Sequence, residues 1–449
     1  MKKFPVTASI KRFASFFLQG GFSLYIVGGA VRDFYAHRKS TDYDFATDAK
    51  PDQIQKLFKR VIPTGIEHGT VTILFDSQAY EVTTFRSDGT YSDKRHPDTV
   101  SFVTSLAEDL SRRDFTINAM AVDASNGLLT DLFGGLDDLK AKTIKAIGNP
   151  AQRFGEDALR ILRACRFASQ LQFTIETKTQ EAMKHLSHSL TAVSKERVQQ
   201  ELMHILASEI PSIGLKAAKE CGALFVLIPE FEQCDGLLQP PKHHFDVLSH
   251  LFVACDAAPL QKPLVRLAAL LHDIGKPLTK GYNADGQLTY YHHEKKSAEL
   301  AFTILKRLKF SNAHIAAVTH LIANHMFVYS PEWSDAAVRR FIKTVGTDFI
   351  DDLFALKRAD RWAINGTTDY SDLVELQSRI TNELQMAHAL KREDLAINGH
   401  DLLKLGIQAG PQMKLILDQL LETVLDDPSQ NTKEHLSRIA VNFWRQRMA

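Results

Sequence analysis

Cysteine is scarce in this chain, four in 449 residues, and none of Cys165, Cys221, Cys234 and Cys255 stands in a Cys-x-x-Cys pair. That spacing argues against a zinc ribbon or a disulfide framework and fits a reducing, cytoplasmic setting. No apolar run approaches the roughly 18 residues of a membrane span. The opening stretch, MKKFPVTASIKRFASFFLQGG, has the length of a leader peptide. Lys11 and Arg12 interrupt its apolar run, however, and the spacing predicts an amphipathic helix. Neither sign of charge is in excess: 54 basic and 53 acidic residues leave a net charge of +1. A nucleic-acid partner would therefore need a local basic patch. Gly-x-Gly-x-x-Gly and the Walker A pattern are missing too, which disfavours a dinucleotide fold and a P-loop ATPase.

What is present reads as an ordinary globular chain, 44% apolar and 24% charged, long enough for two to four domains. The first third mixes strands and helices. SLYIV (Ser23–Val27) predicts a buried strand, Ala30–Ala36 a short helix and DYDFAT a second strand. Gly69–Phe85 alternates as a hairpin, and MAVDASNGLLTDLF predicts another that turns at Asn126-Gly127. After about Pro150 the strand signals fade and helical periodicity takes over. Further boundaries fall at the turn-rich Cys234–His244 and near Ile364–Asp372.

Within GGAVRDFYAHRKSTDYDFATD, Asp42 and Asp44 are two apart on the expected strand, so their side chains share a face. Carboxylates that close repel unless a cation lies between them, and hard oxygen ligands suit Mg²⁺ shared with phosphates. The competing reading is a surface turn followed by a solvated acidic strand. Glu81, on the next hairpin, is either a third carboxylate or an exposed strand residue. Gly28 and Gly29 follow a strand directly, which lets backbone N–H groups approach an anion, and Arg32 on the following helix can reach a phosphate. RRDFTINAM adds Arg113. RFGEDALRILRACRF (Arg153–Phe167) reads as one helix on which Asp157, Arg160, Arg163 and Arg166 recur every three residues along one face.

Taken in order, GGAVRD, the Asp-x-Asp, EVTTFRSDGTYSDKRHPDTVSF, EDLSRRDFTINAMAVD, RFGEDALRILRACRF and SKERVQQEL resemble the class II tRNA nucleotidyltransferases. That family comprises the CCA-adding enzymes and their bacterial poly(A) polymerase relatives. The resemblance implies that Asp42 and Asp44, with Glu81 nearby, hold Mg²⁺ for attack of a 3′-hydroxyl on an α-phosphate. It implies that Gly28, Gly29 and Arg32 bind the triphosphate, that Arg113 contacts the nucleotide, and that Arg163 and Arg166 partner its phosphates. Asp157 and Arg160 would read the incoming base, accepting CTP and ATP. The charged, turn-rich stretch Arg86–Val100 predicts a mobile loop, and in this family a loop here accompanies A addition.

Downstream, His272-Asp273 in LAALLHDIGKP, with His250, His293, His325 and Asp360, resembles the HD-domain phosphohydrolases. Such ligands suit a transition metal such as Ni²⁺ or Mn²⁺. The implied protein is α+β: a nucleotidyltransferase head (1–150), a helical neck bearing the base-recognition helix (151–235), an HD domain (236–365) and a helical tail (366–449) with possible tRNA contact. Its implied partners are the tRNA 3′ end, CTP and ATP, with no membrane; the residues say nothing of oligomeric state. Poly(A) synthesis, a metal-dependent phosphohydrolase with a nucleotide-binding head, and a non-catalytic RNA-binding protein are the rivals.

Overall fold

The computed structural model describes residues 3–39, 42–66, 69–88, 100–386 and 390–448. The chain forms two compact units, Met1–Gln233 with Lys306–Phe310 and Cys234–Leu305 with Ser311–Ala449. The stretch expected to be a mobile loop lies largely outside the described residues.

Among the described residues the first unit has, besides a short parallel pair at Thr143–Ile144 and Thr174–Ile175, nine strands: β1 (Leu24–Val27), β2 (Asp44–Thr47), β3 (Val61–Gly65), β4 (Thr70–Phe75), β5 (Gln78–Thr84), β6 (Arg86–Asp88), β7 (Val100–Phe102), β8 (Met120–Asp123) and β9 (Leu129–Asp131). Seven of them form one sheet in the order β3-β4-β5-β2-β1-β8-β9, and β6 pairs with β7 separately. β4 and β5 are the antiparallel hairpin that the alternation predicts. β8 and β9 form the second, turning where Gly127 has φ 75°. A side chain there would be strained, and its Cβ would also lie 2.5 Å from the Phe4 carbonyl oxygen.

The opening segment is the expected amphipathic helix, Ala8–Gln19, capped by the Thr7 hydroxyl, which accepts from the Ile10 N–H at 3.3 Å. It buries Ile10, Phe13, Ala14 and Phe17. Phe13 packs its ring against Phe45 of β2 at 5.4 Å and Tyr80 of β5 at 4.7 Å. A side chain of that size contributes about 1.5–3 kcal/mol by its burial, so this helix fastens the back of the sheet.

Helices follow at Pro150–Glu156, Leu159–Leu171, Thr177–Leu186 and Lys195–Leu206. The single helix expected over Arg153–Phe167 is thus two. Asp157 is extended (φ −143°, ψ 105°) and its carboxylate accepts from the Leu159 N–H at 3.0 Å. An Asp side chain that bonds the backbone two residues on competes with the helix and starts a new one. The apolar spacing runs through the break without a fault, which is why periodicity alone misses it.

The second unit is nearly all helical, with the helices Val247–Ala257, Pro263–Leu271, His293–Arg307, Asn312–Asn324, Asp335–Val345 and Ile350–Asn365 preceding the carboxy-terminal ones. A small hairpin, Gly281–Tyr282 with Leu288–Thr289, interrupts them. Strands of two residues are too short to leave an alternation signal. No helix among the described residues is long and apolar enough to cross a membrane.

Candidate active site

Sheet register makes the acidic end of the site. β2 runs parallel to β5, so Asp44 sits directly beside Glu81. β2 begins only at Asp44, so Asp42 lies just before the strand rather than on it, a correction to the expected placement. The three carboxylates still feel one another. Burial raises Asp44 above the usual carboxylate range, Asp42 adds to the rise, and Arg113 offsets part of it. Glu81 is raised by burial and then by repulsion from Asp44 and Asp42. Carboxylates held together at this electrostatic cost are a fitting donor set for a hard divalent cation. Gly28, at φ 69°, lets the chain turn here; its Cβ would lie 3.7 Å from both Asp44 Oδ2 and Arg113 Nη1.

From this end a cavity of about 610 Å³ opens, and eight arginines line it: Arg32, Arg86, Arg112, Arg113, Arg160, Arg163, Arg166 and Arg197. This is the local basic patch that a chain of net charge +1 needs to bind a polyanion.

Most of these guanidiniums already have carboxylate partners. Buried Asp109 accepts from Arg112 at 2.8 and 3.0 Å and from Arg113 at 3.2 Å. Burial would raise its carboxyl, but the two arginines hold it low. Asp114 accepts from Arg163 Nε and Nη2 at 2.8 and 2.6 Å, from Asn118 at 3.0 Å and from the Phe115 N–H at 2.8 Å. Burial opposes its ionisation, yet these partners lower it to about 2. Glu201 behaves oppositely, raised because burial outweighs Arg166 and Arg163. It has Arg166 at 3.0 Å, whereas Arg163 stands 4.0 Å away. Arg32 donates to Asn118 at 2.9 Å and lies with Arg166 over the Phe167 ring, 5.2 and 4.4 Å from its centre.

Asp157 and Arg160 both line the cavity, but they are not paired with each other. Asp157 accepts from Arg197 at 2.7 and 3.3 Å. Arg160 donates to Glu156 at 2.7 Å and to the carbonyls of Arg153 and Arg112 at 3.0 and 3.1 Å. The helix break also takes Asp157 off the shared face with Arg160, Arg163 and Arg166. Reading single motifs missed Arg197, Asp109, Asp114 and Glu201. All four lie inside motifs already quoted, but a carboxylate's partner is chosen in space.

The second unit holds a different constellation. His250 lies on its helix, His272 and Asp273 follow Pro263–Leu271, His293 begins a helix, His325 ends one, and Asp360 lies on Ile350–Asn365. All six are buried and converge. His250 Nε2 is 3.2 Å from His272 Nε2, 3.4 Å from Asp273 and 3.3 Å from Asp360. His293 Nε2 is 3.0 Å from Asp273 Oδ1, and His325 is 3.8 Å from it.

His250, His272 and Asp273 form one set with ligand atoms within 4.8 Å of one another; Asp273, His293 and His325 form another. Asp273 is common to both. The Nδ1 atoms of His272, His293 and His325 meet the carbonyls of Ala269, Tyr290 and Ile322 at 2.8, 2.6 and 2.7 Å. Such bonds orient each ring so that Nε2 faces inward, as in metal-ligating histidines.

Lys276, which sequence reasoning did not single out, sits 2.5 Å from Asp273. Burial would lower His272, but Asp273 and Asp360 raise it to about 10; His325 is lowered to about 3 by burial and by His272. Asp273 Oδ1 and His293 Nε2 are buried and face each other at 3.0 Å without the alignment of a hydrogen bond, a costly state that a cation between them would relieve. Four nitrogens and two carboxylates suit a divalent transition metal.

Comparison with known proteins finds matches in both units. A family model described as the poly A polymerase head domain matches residues 24–145, and one for a probable RNA-binding site of polymerase A matches 172–234. A third, tRNA nucleotidyltransferase domain 2, matches 288–440. The CCA-adding enzyme of Levilactobacillus brevis is 38% identical over 425 residues, 93% of each chain. That of Enterococcus faecalis is 35% identical, covering 94% of this chain and 92% of its own. The crystal structure of the Bacillus stearothermophilus CCA-adding enzyme in complex with CTP superposes with a TM-score of 0.74 at 26% identity, covering 100% of this chain and 99% of that one.

Proposed function

Because the chain belongs to the CCA-adding enzyme family, we infer that it adds or repairs the 3′-terminal CCA of tRNA, using CTP and ATP without a nucleic-acid template and releasing pyrophosphate. The observation that carries this is a cavity lined by eight arginines and by Asp44, whose strand neighbour Glu81 and whose electrostatic neighbour Asp42 complete a carboxylate group at that end. Asp42, Asp44 and Glu81 would hold Mg²⁺, which when bound supplies activation of the attacking hydroxyl and neutralises charge on the leaving phosphates. Gly28, Gly29 and Arg32 cradle the triphosphate, Arg113 spans from nucleotide to carboxylates, and Arg163 and Arg166 offer guanidiniums to its phosphates.

Asp157 and Arg160 read the base. Cytosine presents an amino donor beside a ring-nitrogen acceptor, and adenine presents the same pair on its Watson–Crick edge. An Asp acceptor with an Arg donor satisfies both. Guanine and uracil offer a carbonyl beside an N–H there, and each mismatched buried group costs on the order of 1–3 kcal/mol. Arg197 steadies Asp157, whose carboxylate keeps lone pairs for the base. The chain divides by role into head (1–150), neck (151–235), metal-cluster domain (236–365) and tail (366–449).

The test gives the purified protein tRNAs ending at the discriminator base, at C and at CC, with each nucleoside triphosphate in turn. Ordered addition of C, C and A supports the reading. Addition of A alone to CC ends, or a long A tail, would replace it by A-only or poly(A) synthesis.

The buried cluster favours a second activity in the same chain. Its donors would hold Ni²⁺ or Mn²⁺, which when bound supplies an activated water and a Lewis acid for phosphoester hydrolysis. His250, His272, Asp273, His293, His325 and Asp360 fix the ligand directions, and 2′,3′-cyclic nucleotides are the substrates to try first. The four cysteines are free and buried, which suits a reducing compartment such as the cytoplasm.

A further inference from the structure

One apolar ring stands among the cations of the first site. Phe167 lies on the helix Leu159–Leu171 and lines the arginine-walled cavity, yet only 4% of it is exposed. The guanidinium carbons of Arg166, Arg32 and Arg163 lie 4.4, 5.2 and 5.5 Å from its ring centre. Arg163 is one helical turn before Phe167 and Arg166 is its neighbour, whereas Arg32 arrives from the helix Gly29–Tyr35. Phe115, itself buried, meets the ring at 83° with centres 5.7 Å apart and so holds its plane.

Three cations this close repel. Burial lowers the Arg166 guanidinium, and Arg163 and Arg32 push it the same way, against Glu201 and Asp114. Carboxylates answer part of that repulsion. Asp33 and Asp114 each pair with one of the three arginines, and Glu201 lies within 4.0 Å of two. A carboxylate cancels the charge it holds, so an incoming phosphate must displace it. An aromatic face attracts cations through its quadrupole, carries no net charge and leaves theirs available. Phe167 meets all three guanidiniums at once.

We propose that Phe167 is a positioning residue for the nucleotide's triphosphate, gathering Arg32, Arg163 and Arg166 into one cationic group without neutralising them. Triphosphate affinity then depends on the electron density of a ring, and choice of base does not. The inference rests on those three arginines binding the phosphates, and the experiment separates the two.

The test replaces Phe167 in the full-length protein with 4-fluoro-, 3,5-difluoro- and 3,4,5-trifluorophenylalanine, which weaken the ring quadrupole stepwise at nearly constant size. CTP, ATP and inorganic tripolyphosphate are titrated against each protein, and KM and kcat for CTP are measured on tRNA ending at the discriminator base. Affinity for all three ligands should fall with each fluorine, by about tenfold over the series, the order of one desolvated cation–π contact. KM should rise by that factor while kcat changes less, and preference for CTP over UTP should hold. Phe167→Leu should weaken binding at least as much; where it fails to fold, the fluorinated series decides alone. Flat affinity across the series in folded protein overturns the proposal even where Phe167→Leu weakens binding, because packing alone would give that result. Arg32→Met and Arg163→Met probe the phosphate contacts themselves. If they lose triphosphate affinity while the series stays flat, only the role of Phe167 falls. If neither loses affinity, both fall.

Discussion

Carboxylates are neutralised in opposite ways in the two sites. In the arginine-lined cavity Asp109, Asp114, Asp157 and Glu201 each have a guanidinium of their own. In the cluster Asp273 and Asp360 share four imidazoles, with Lys276 and Lys357 at the edge. Guanidinium donates hydrogen bonds and never ligates a metal, whereas a neutral imidazole does. The first site can therefore accept an anionic substrate by exchanging ion-pair partners in an open cavity. The second is buried, three of its four rings are held by backbone carbonyls, and its donors suit a cation. Similar charge inventories thus serve substrate capture in one unit and metal ligation in the other.

The sharpest way to break this contrast is to remove a ligand from each side. Asp44→Ala or Asp42→Ala should lower nucleotide incorporation by at least about 10³-fold, the loss of several kcal/mol of transition-state stabilisation. Incorporation near the wild-type rate by either variant would remove the carboxylate site from the chemistry. His272→Ala combined with Asp273→Ala should abolish bound Mn²⁺ or Ni²⁺ and any hydrolysis of 2′,3′-cyclic AMP, measured by elemental analysis and phosphate release. CCA addition by that double variant should persist. Its collapse would make the second unit part of the tRNA-positioning body.

Smaller effects sharpen the picture of the first site. Asp157→Ala should reduce discrimination of CTP and ATP against UTP and GTP by about 5- to 150-fold, from losing a contact of roughly 1–3 kcal/mol. Triphosphate affinity should change less, because other arginines hold the phosphates. Arg197→Met should act in the same direction more weakly; unchanged selectivity in both variants would move base choice elsewhere.

Asp114 makes the smallest prediction, in pH. Its carboxyl drops from 3.8 to about 2 although burial opposes it, because Arg163, Asn118 and the Phe115 N–H prevail. A depressed carboxyl stabilises the fold above its unfolded value and loses that contribution as pH falls through the folded one. The window is therefore about pH 4 down to 2, and the amount is roughly 2 kcal/mol. Asp114→Asn should be less stable at neutral pH, with Arg163 left unpaired, and should lose less stability than wild type between those limits in denaturant titrations.

Local elements were legible in the residues for plain reasons. Apolar runs and alternation announce β1 and the two hairpins, because strand faces repeat every second residue. Lys11 and Arg12 mark the opening helix as amphipathic. All six cluster members could be named, because their order along the chain resembles that of the HD-domain phosphohydrolases. The break at Asp157 was not legible, because it depends on one side chain capturing one backbone N–H.

By itself, then, the amino-acid order determined the longer strands and helices, which side chains are available for chemistry, and that any polyanion site must be local. Tertiary structure alone decided the partners. Asp44 meets Glu81 because two strands pair in parallel, Asp157 meets Arg197 across 40 residues, and helices remote in sequence bring six ligands to one point. Periodicity says which face of an element is buried, and only packing says which other element covers that face.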